Sequence, residues 1–198
     1  MEINGQFLDS ARKLFEYYKS LGEKAIAQLD AGQLFIAANE DTNSIAIIIK
    51  HLSGNMISRW TDFLTSDGEK EWRNRDAEFA ESGGDFIDAD RAKAELLDIW
   101  NIGWKCLFEA LDGLTAENLS DIVYIRNEGH TVMEAINRQL AHYPYHIGQI
   151  VFYAKMLKNG AWESLSIPKN KSHDYNSDKF GREKRIGHFT DDELDKLK

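Results

Sequence analysis

Proline occurs only at Pro144 and Pro168 in this chain of 198 residues. Nothing before Pro144 removes a backbone donor or jams a helical turn, which favours long helices. The apolar spacing agrees. Phe7, Ala11, Leu14, Phe15, Tyr18, Leu21, Ile26 and Leu29 recur every three or four residues, and Gly32 is a natural stop. A second helix is predicted from a cap at Asp41 or Thr42 through Phe63 to Gly68, with Ile45, Ile48, Leu52, Met56 and Phe63 on its apolar face. A third runs from about Asp90 to Leu111, with Leu96, Leu97, Trp100, Trp104, Leu107 and Phe108 as its stripe. Thr131-Val-Met-Glu134 is a capping box and opens a fourth, from Val132 to about Lys158, closed by Asn159-Gly160.

Between these segments the pattern changes. Residues 69–88, including Gly83-Gly84, read as irregular. Thr115 caps a short turn ending near Leu119. Asp121 to Arg126 alternates and is β-branched, and Asn127-Glu-Gly129 turns it back into a short β-hairpin. The polar tail, about 161–198, reads as irregular apart from a helical turn at Thr190–Glu193. No repeat or domain boundary interrupts the chain. The expected architecture is all-α: a single four-helix-bundle domain over 1–198, with a hairpin before the last long helix.

Hydrophobic residues make up 42% and charged residues 29%, as in ordinary globular proteins. A net charge of −9 disfavours a nucleic-acid partner, because phosphate binding needs clustered Lys and Arg. The longest apolar run, 44–49, is too short to span a bilayer, so no membrane role is expected. One cysteine, Cys106, and the lack of a signal peptide fit a reducing, cytoplasmic setting.

Three histidines carry the chemistry. His142 and His146 stand four apart, so one helix face presents both imidazoles. His51 joins them only if the second and fourth helices pack together. Three neutral imidazoles leave coordination positions open for water or substrate. His142 shares its face with Arg138, Tyr145, His146 and Gln149, and His51 lies with Asn55, Ser58, Arg59 and Asp62. Polar stripes bordered by core residues are costly unless paired or functional. Tyr143 follows His142, so the zincin pattern with its built-in base is absent, and no Cys-x-x-Cys exists. Imidazoles with water suit Zn, Ni, Fe or Cu. Pro144 falls between the paired histidines, where a kink either tunes or spoils their convergence.

Other residues have two readings each. Arg73 and Arg75, with Trp72 and Phe79, form either a lid for an anion or a solvated ion-pair loop, the latter favoured by Glu69, Glu71, Asp76, Glu78 and Glu81 nearby. Cys106, beside the core stripe, reads as a buried inert thiol. Tyr145 and Gln149 either contact ligands and substrate or simply pack. Arg138 meets either a substrate carboxylate or Glu134 one turn earlier. His130, His173 and His188 read as surface residues. The tail from Lys169 to Arg185, with 6 basic and 3 acidic residues, reads as a solvated arm or a strap over a partner subunit.

Five strings carry a more specific likeness: 51–63, 67–79, 136–142, 146–150 and 162–169, from His51-Leu-Ser-Gly-Asn through Asp67-Gly-Glu-Lys-Glu-Trp72 to Trp162-Glu-Ser-Leu. On these the chain resembles the DinB-like (YfiT-like) metal-binding four-helix bundles, and more closely their bacterial subfamily of unknown function related to Bacillus YizA. The resemblance covers most of the chain. It implies a metal on His51, His142 and His146, zinc or nickel as the expected ion, and a homodimer. Characterised relatives include bacillithiol- or mycothiol-dependent thiol transferases and a mycothiol-dependent isomerase, so it also implies a small-molecule thiol substrate. Asn55, Arg138, Tyr145 and Gln149 would then orient that substrate. The rival expectations are a non-catalytic metal- or small-molecule-binding stress protein and a metal-free interaction bundle.

Overall fold

A computed structural model describes residues 3–80 and 88–197. Glu81 and Gly83-Gly84 lie outside them. Four long helices dominate: α1 (Ile3–Ala27), α2 (Ile45–Trp60), α4 (Ala89–Asp112) and α5 (Val132–Lys158), with a short α3 (Arg75–Phe79) between the second and third of these. α1 packs on α5 and α4, and α2 packs on α4 and α5, which closes the ring of a four-helix bundle. No described helix is long and apolar enough to cross a membrane.

α2 is the most enclosed of the four. Its Ile45–Ile49 run is buried on every side, as expected of a helix covered by neighbours all round. It starts later than its sequence suggests. Ser44 caps it, accepting from the Ile47 N–H at 3.2 Å, whereas Asp41 and Thr42 bond to Asn39 in the preceding turn. It also ends earlier, at Trp60, because Asp62 adopts a left-handed φ of 48°. Gly103 lets α4 approach closely: a Cβ there would meet Ser53 Cα at 2.8 Å. The Ser53 hydroxyl uses that proximity to donate to the Ile99 carbonyl at 2.7 Å.

α5 begins on the expected capping box, where Thr131 and Glu134 satisfy each other's backbone N–H groups. It ends as expected at Asn159, with φ 46°, and Gly160, with φ 98°. Pro144 is accommodated within a continuous helix. The first helix closes two residues before Leu29, and Gly32 sits in a 3-10 turn over Ala31–Phe35.

The hairpin pairs β1 (Ile122–Ile125) with β2 (Glu128–Thr131), antiparallel, Ile122 opposite Thr131. Val123 and Ile125 face the core. The turn residues are Arg126 and Asn127, at φ 57° and 62°, one position earlier than predicted. That double left-handed geometry suits a two-residue hairpin loop, and the Asp67 carboxylate accepts both of their N–H groups. The tail is less irregular than its composition suggests, since α6 (Ser172–Phe180) is helical, while α7 (Asp191–Leu194) is the turn expected after Thr190. Two of the three histidines expected at the surface are half-buried. His188 bonds Ser10 and Thr190, and His130 Nε2 is enclosed; His173 is exposed.

Candidate metal centre

Antiparallel packing of α2 and α5 brings together residues 91 positions apart: His51 Nε2 lies 3.4 Å from His142 Nε2. One helical turn onward, His146 Nε2 lies 3.1 Å from the same atom. One nitrogen from each ring falls within 4.8 Å of the others, close enough to hold one metal ion. Nitrogens about 2.0–2.1 Å from a tetrahedral ion stand about 3.4 Å apart, so the spacing fits.

The far side of each ring decides its protonation. His51 Nδ1 is 3.1 Å from Glu78 Oε2, His142 Nδ1 is 3.2 Å from Gln139 Oε1, and His146 Nδ1 is 2.7 Å from Gln149 Oε1. All three partners are acceptors, so each neutral imidazole carries its proton on Nδ1. Every Nε2 is then a bare lone pair, and the three lone pairs converge. Lone pairs repel one another unless a cation sits between them. Outer hydrogen bonds of this kind fix both tautomer and ring angle in metal sites.

Electrostatics favours the neutral forms of His142 and His146. Burial, then the neighbouring imidazoles of His146 and His51, pushes His142 down to about 3. Burial likewise lowers His146. Burial alone would raise Glu78, but the bond to His51 and the pairing with Arg73 outweigh it and hold the carboxyl below its ordinary range.

That pairing departs from the reading of residues 69–79 as a solvated ion-pair loop at Arg73 and Glu78, whereas Glu71, Trp72, Arg75 and Asp76 are exposed as that reading expects. The Arg73 side chain is 3% exposed and binds both oxygens of Glu78, with Glu69 beyond it. Glu69 also takes Arg59 and Arg126. Phe79 lies against the His51 ring, with centroids 5.0 Å apart, and Arg75 covers Phe79. Gly54 leaves room for the Glu78 carboxylate, which a Cβ there would displace.

The four residues expected to orient substrate separate. Gln149 holds His146. Tyr145 is exposed, its ring 5.0 Å from that of His146. Arg138 is exposed, and Glu134 is turned to Thr131 instead. Asn55 faces the core, 5% exposed, and accepts from the Tyr143 hydroxyl at 3.1 Å, which in turn accepts from Trp60 Nε1 at 3.0 Å. Cys106 is half-buried, its sulfur 3.6 Å from the Thr61 hydroxyl, and burial pushes the thiol up, as an inert thiol requires.

Two partners escaped the sequence reading. Gln139 precedes His142 by three residues just as Gln149 follows His146 by three, so its helical spacing was a usable signal. Glu78 gave none, being one of several acids in a charged segment.

Residues 2–171 match the family described as protein of unknown function DUF1572, and the chain belongs to it. The match spans every residue of the histidine site and stops before α6. No curated protein and no solved structure matches the chain.

Proposed function

We propose that His51, His142 and His146 hold one divalent transition ion, zinc or nickel, and that the chain is a metal-dependent thiol (S-) transferase acting on small molecules. The observation that carries this is the set of three Nε2 lone pairs aimed at one point, each fixed by an acceptor on the opposite nitrogen. An all-imidazole donor set is of borderline softness, which suits zinc and nickel and excludes a calcium- or magnesium-type oxygen cage. When bound, such an ion lowers the pKa of a coordinated thiol and readies its sulfur for attack on an electrophile. The likeness of the helical motifs to DinB-like bundles supports sulfur as the nucleophile and a homodimer as the assembly.

The protein residues prepare the site. Glu78, Gln139 and Gln149 keep the rings in one tautomer. Phe79, laid against His51, keeps water from that ring. In the transfer, the thiol proton leaves to solvent, the sulfur bonds the electrophilic carbon, and the leaving group departs with its electron pair.

The test is elemental analysis of untagged protein beside His51→Ala and His142→Ala, followed by a thiol and electrophile screen. The expected result is near one ion per chain, lost in both variants, with turnover only in the loaded wild type. Metal without any turnover would replace the transferase by a metal-binding stress protein. Absence of metal after reconstitution would remove the centre altogether.

A further inference from the structure

The seam between α2 and α5 is sealed by packed side chains on one side of the histidines and bordered by a cavity on the other. Toward the C-terminus of α2 it is sealed by Asn55, Tyr143 and Trp60, all buried and mutually bonded. Toward its N-terminus, one turn from His51, lies Ile48; one turn beyond His146 on the antiparallel helix lies Gln149. Both residues line a cavity of about 400 Å³. Its volume falls within the ~300–1,000 Å³ usual for small-molecule sites. Gln149 is therefore shared: its oxygen accepts from His146 while it borders the cavity.

The lining limits the occupant. Ile48, Phe152, Tyr153 and Met156 form an apolar and aromatic wall. Phe152 and Met156 are 67% and 56% exposed, a costly presentation for large apolar side chains that a bound ligand would relieve. The lining also includes Asp41, Thr42 and Asn43, so among the described residues that line the cavity the single charge is negative. An anionic ligand would meet repulsion there and no compensating Lys or Arg.

We infer that this cavity binds the body of the substrate, and that the substrate is a small thiol with an aromatic or aliphatic body and no anionic group, its sulfur reaching the histidine cluster past Gln149. The inference deepens the transferase reading and rests on it for the thiol, but not for the cavity. It moves substrate recognition from Asn55 and Arg138, which face the core and the solvent, to Ile48, Phe152 and Met156.

The experiment is calorimetric titration of metal-loaded protein with 2-phenylethanethiol and with glutathione, and of metal-free protein with 2-phenylethylamine, with metal content and oligomeric state measured on each sample. Wild type should bind 2-phenylethanethiol at least about tenfold tighter than glutathione, and Phe152→Ala should weaken that binding about tenfold at unchanged metal content. Met156→Lys, at an exposed position that should fold, should reverse the preference between the two thiols. Equal affinity for both thiols, or indifference to both substitutions, overturns the inference. So does a Phe152→Ala variant that dissociates a dimer without changing affinity, because the face would then be a subunit contact. If the chain binds no metal, the transferase reading fails by itself. The amine still decides the cavity: binding weakened by Phe152→Ala supports it, and no binding overturns it.

Discussion

Glu78 reaches back 27 residues to His51, its Oε2 3.1 Å from Nδ1, with both side chains about nine-tenths buried. Arg73 closes the other side of the same carboxylate. The short helix α3 has no fully buried residue, so these polar contacts, together with Phe79 against the His51 ring, hold it over the centre.

Replacing Glu78 by Gln should therefore weaken metal binding by about 10–100-fold, the usual cost of losing an outer-sphere partner, while the helical content stays the same. Gly54→Ala should do likewise from the opposite helix, by pushing the carboxylate aside. Competition against a chromophoric chelator measures both. Unchanged affinity in both variants would mean that His51 is oriented by packing alone.

Tyr143→Phe tests the assignment of Asn55. The change removes the hydroxyl shared by Trp60 and Asn55 and leaves two buried polar atoms unmatched, at about 1–3 kcal/mol each. Urea denaturation should report that loss, with metal content and thiol affinity retained. A variant of native stability with weakened thiol binding would instead return Asn55 to the substrate site.

Acid should destabilise the metal-free protein well before carboxylates titrate. Folded His142 is held near 3 by burial and its neighbouring imidazoles, against 6.5 in the unfolded chain. Between those values the unfolded state binds more protons, so the stability from this group is full above about 6.5 and is lost as pH falls toward 3. The lowered His146 and Glu78 act in the same direction, the latter below its ordinary 4.5. Urea midpoints in chelating buffer at pH 7, 6 and 5 should decline in that order, and a flat series would contradict the burial of these rings.

The long helices were legible because local signals agree: the absence of proline before Pro144, the periodic apolar residues, the Thr131 capping box and the Asn159-Gly160 stop all act within a few residues. Boundaries failed where two local options competed. Asp41 and Thr42 are good caps, but Asn39 captured them and left the role to Ser44. The histidine set was legible for His142 and His146 from helical spacing. His51 needed the packing of α2 on α5, and Glu78 needed a loop trajectory that no local pattern encodes. Burial of Arg73 was invisible because a run of alternating charges reads the same whether it is solvated or folded inward.

The 91-residue separation between His51 and His142 bears on how the chain would assemble around an ion. A helix alone can offer two imidazoles, but the third waits on closure of nearly half of the polypeptide, among the slowest and most entropically demanding contacts in the fold. An ion is then a late arrival that recognises the finished bundle. It should leave the rate of refolding nearly unchanged and retard unfolding, so that chelation acts on the lifetime of the native state and not on the route to it.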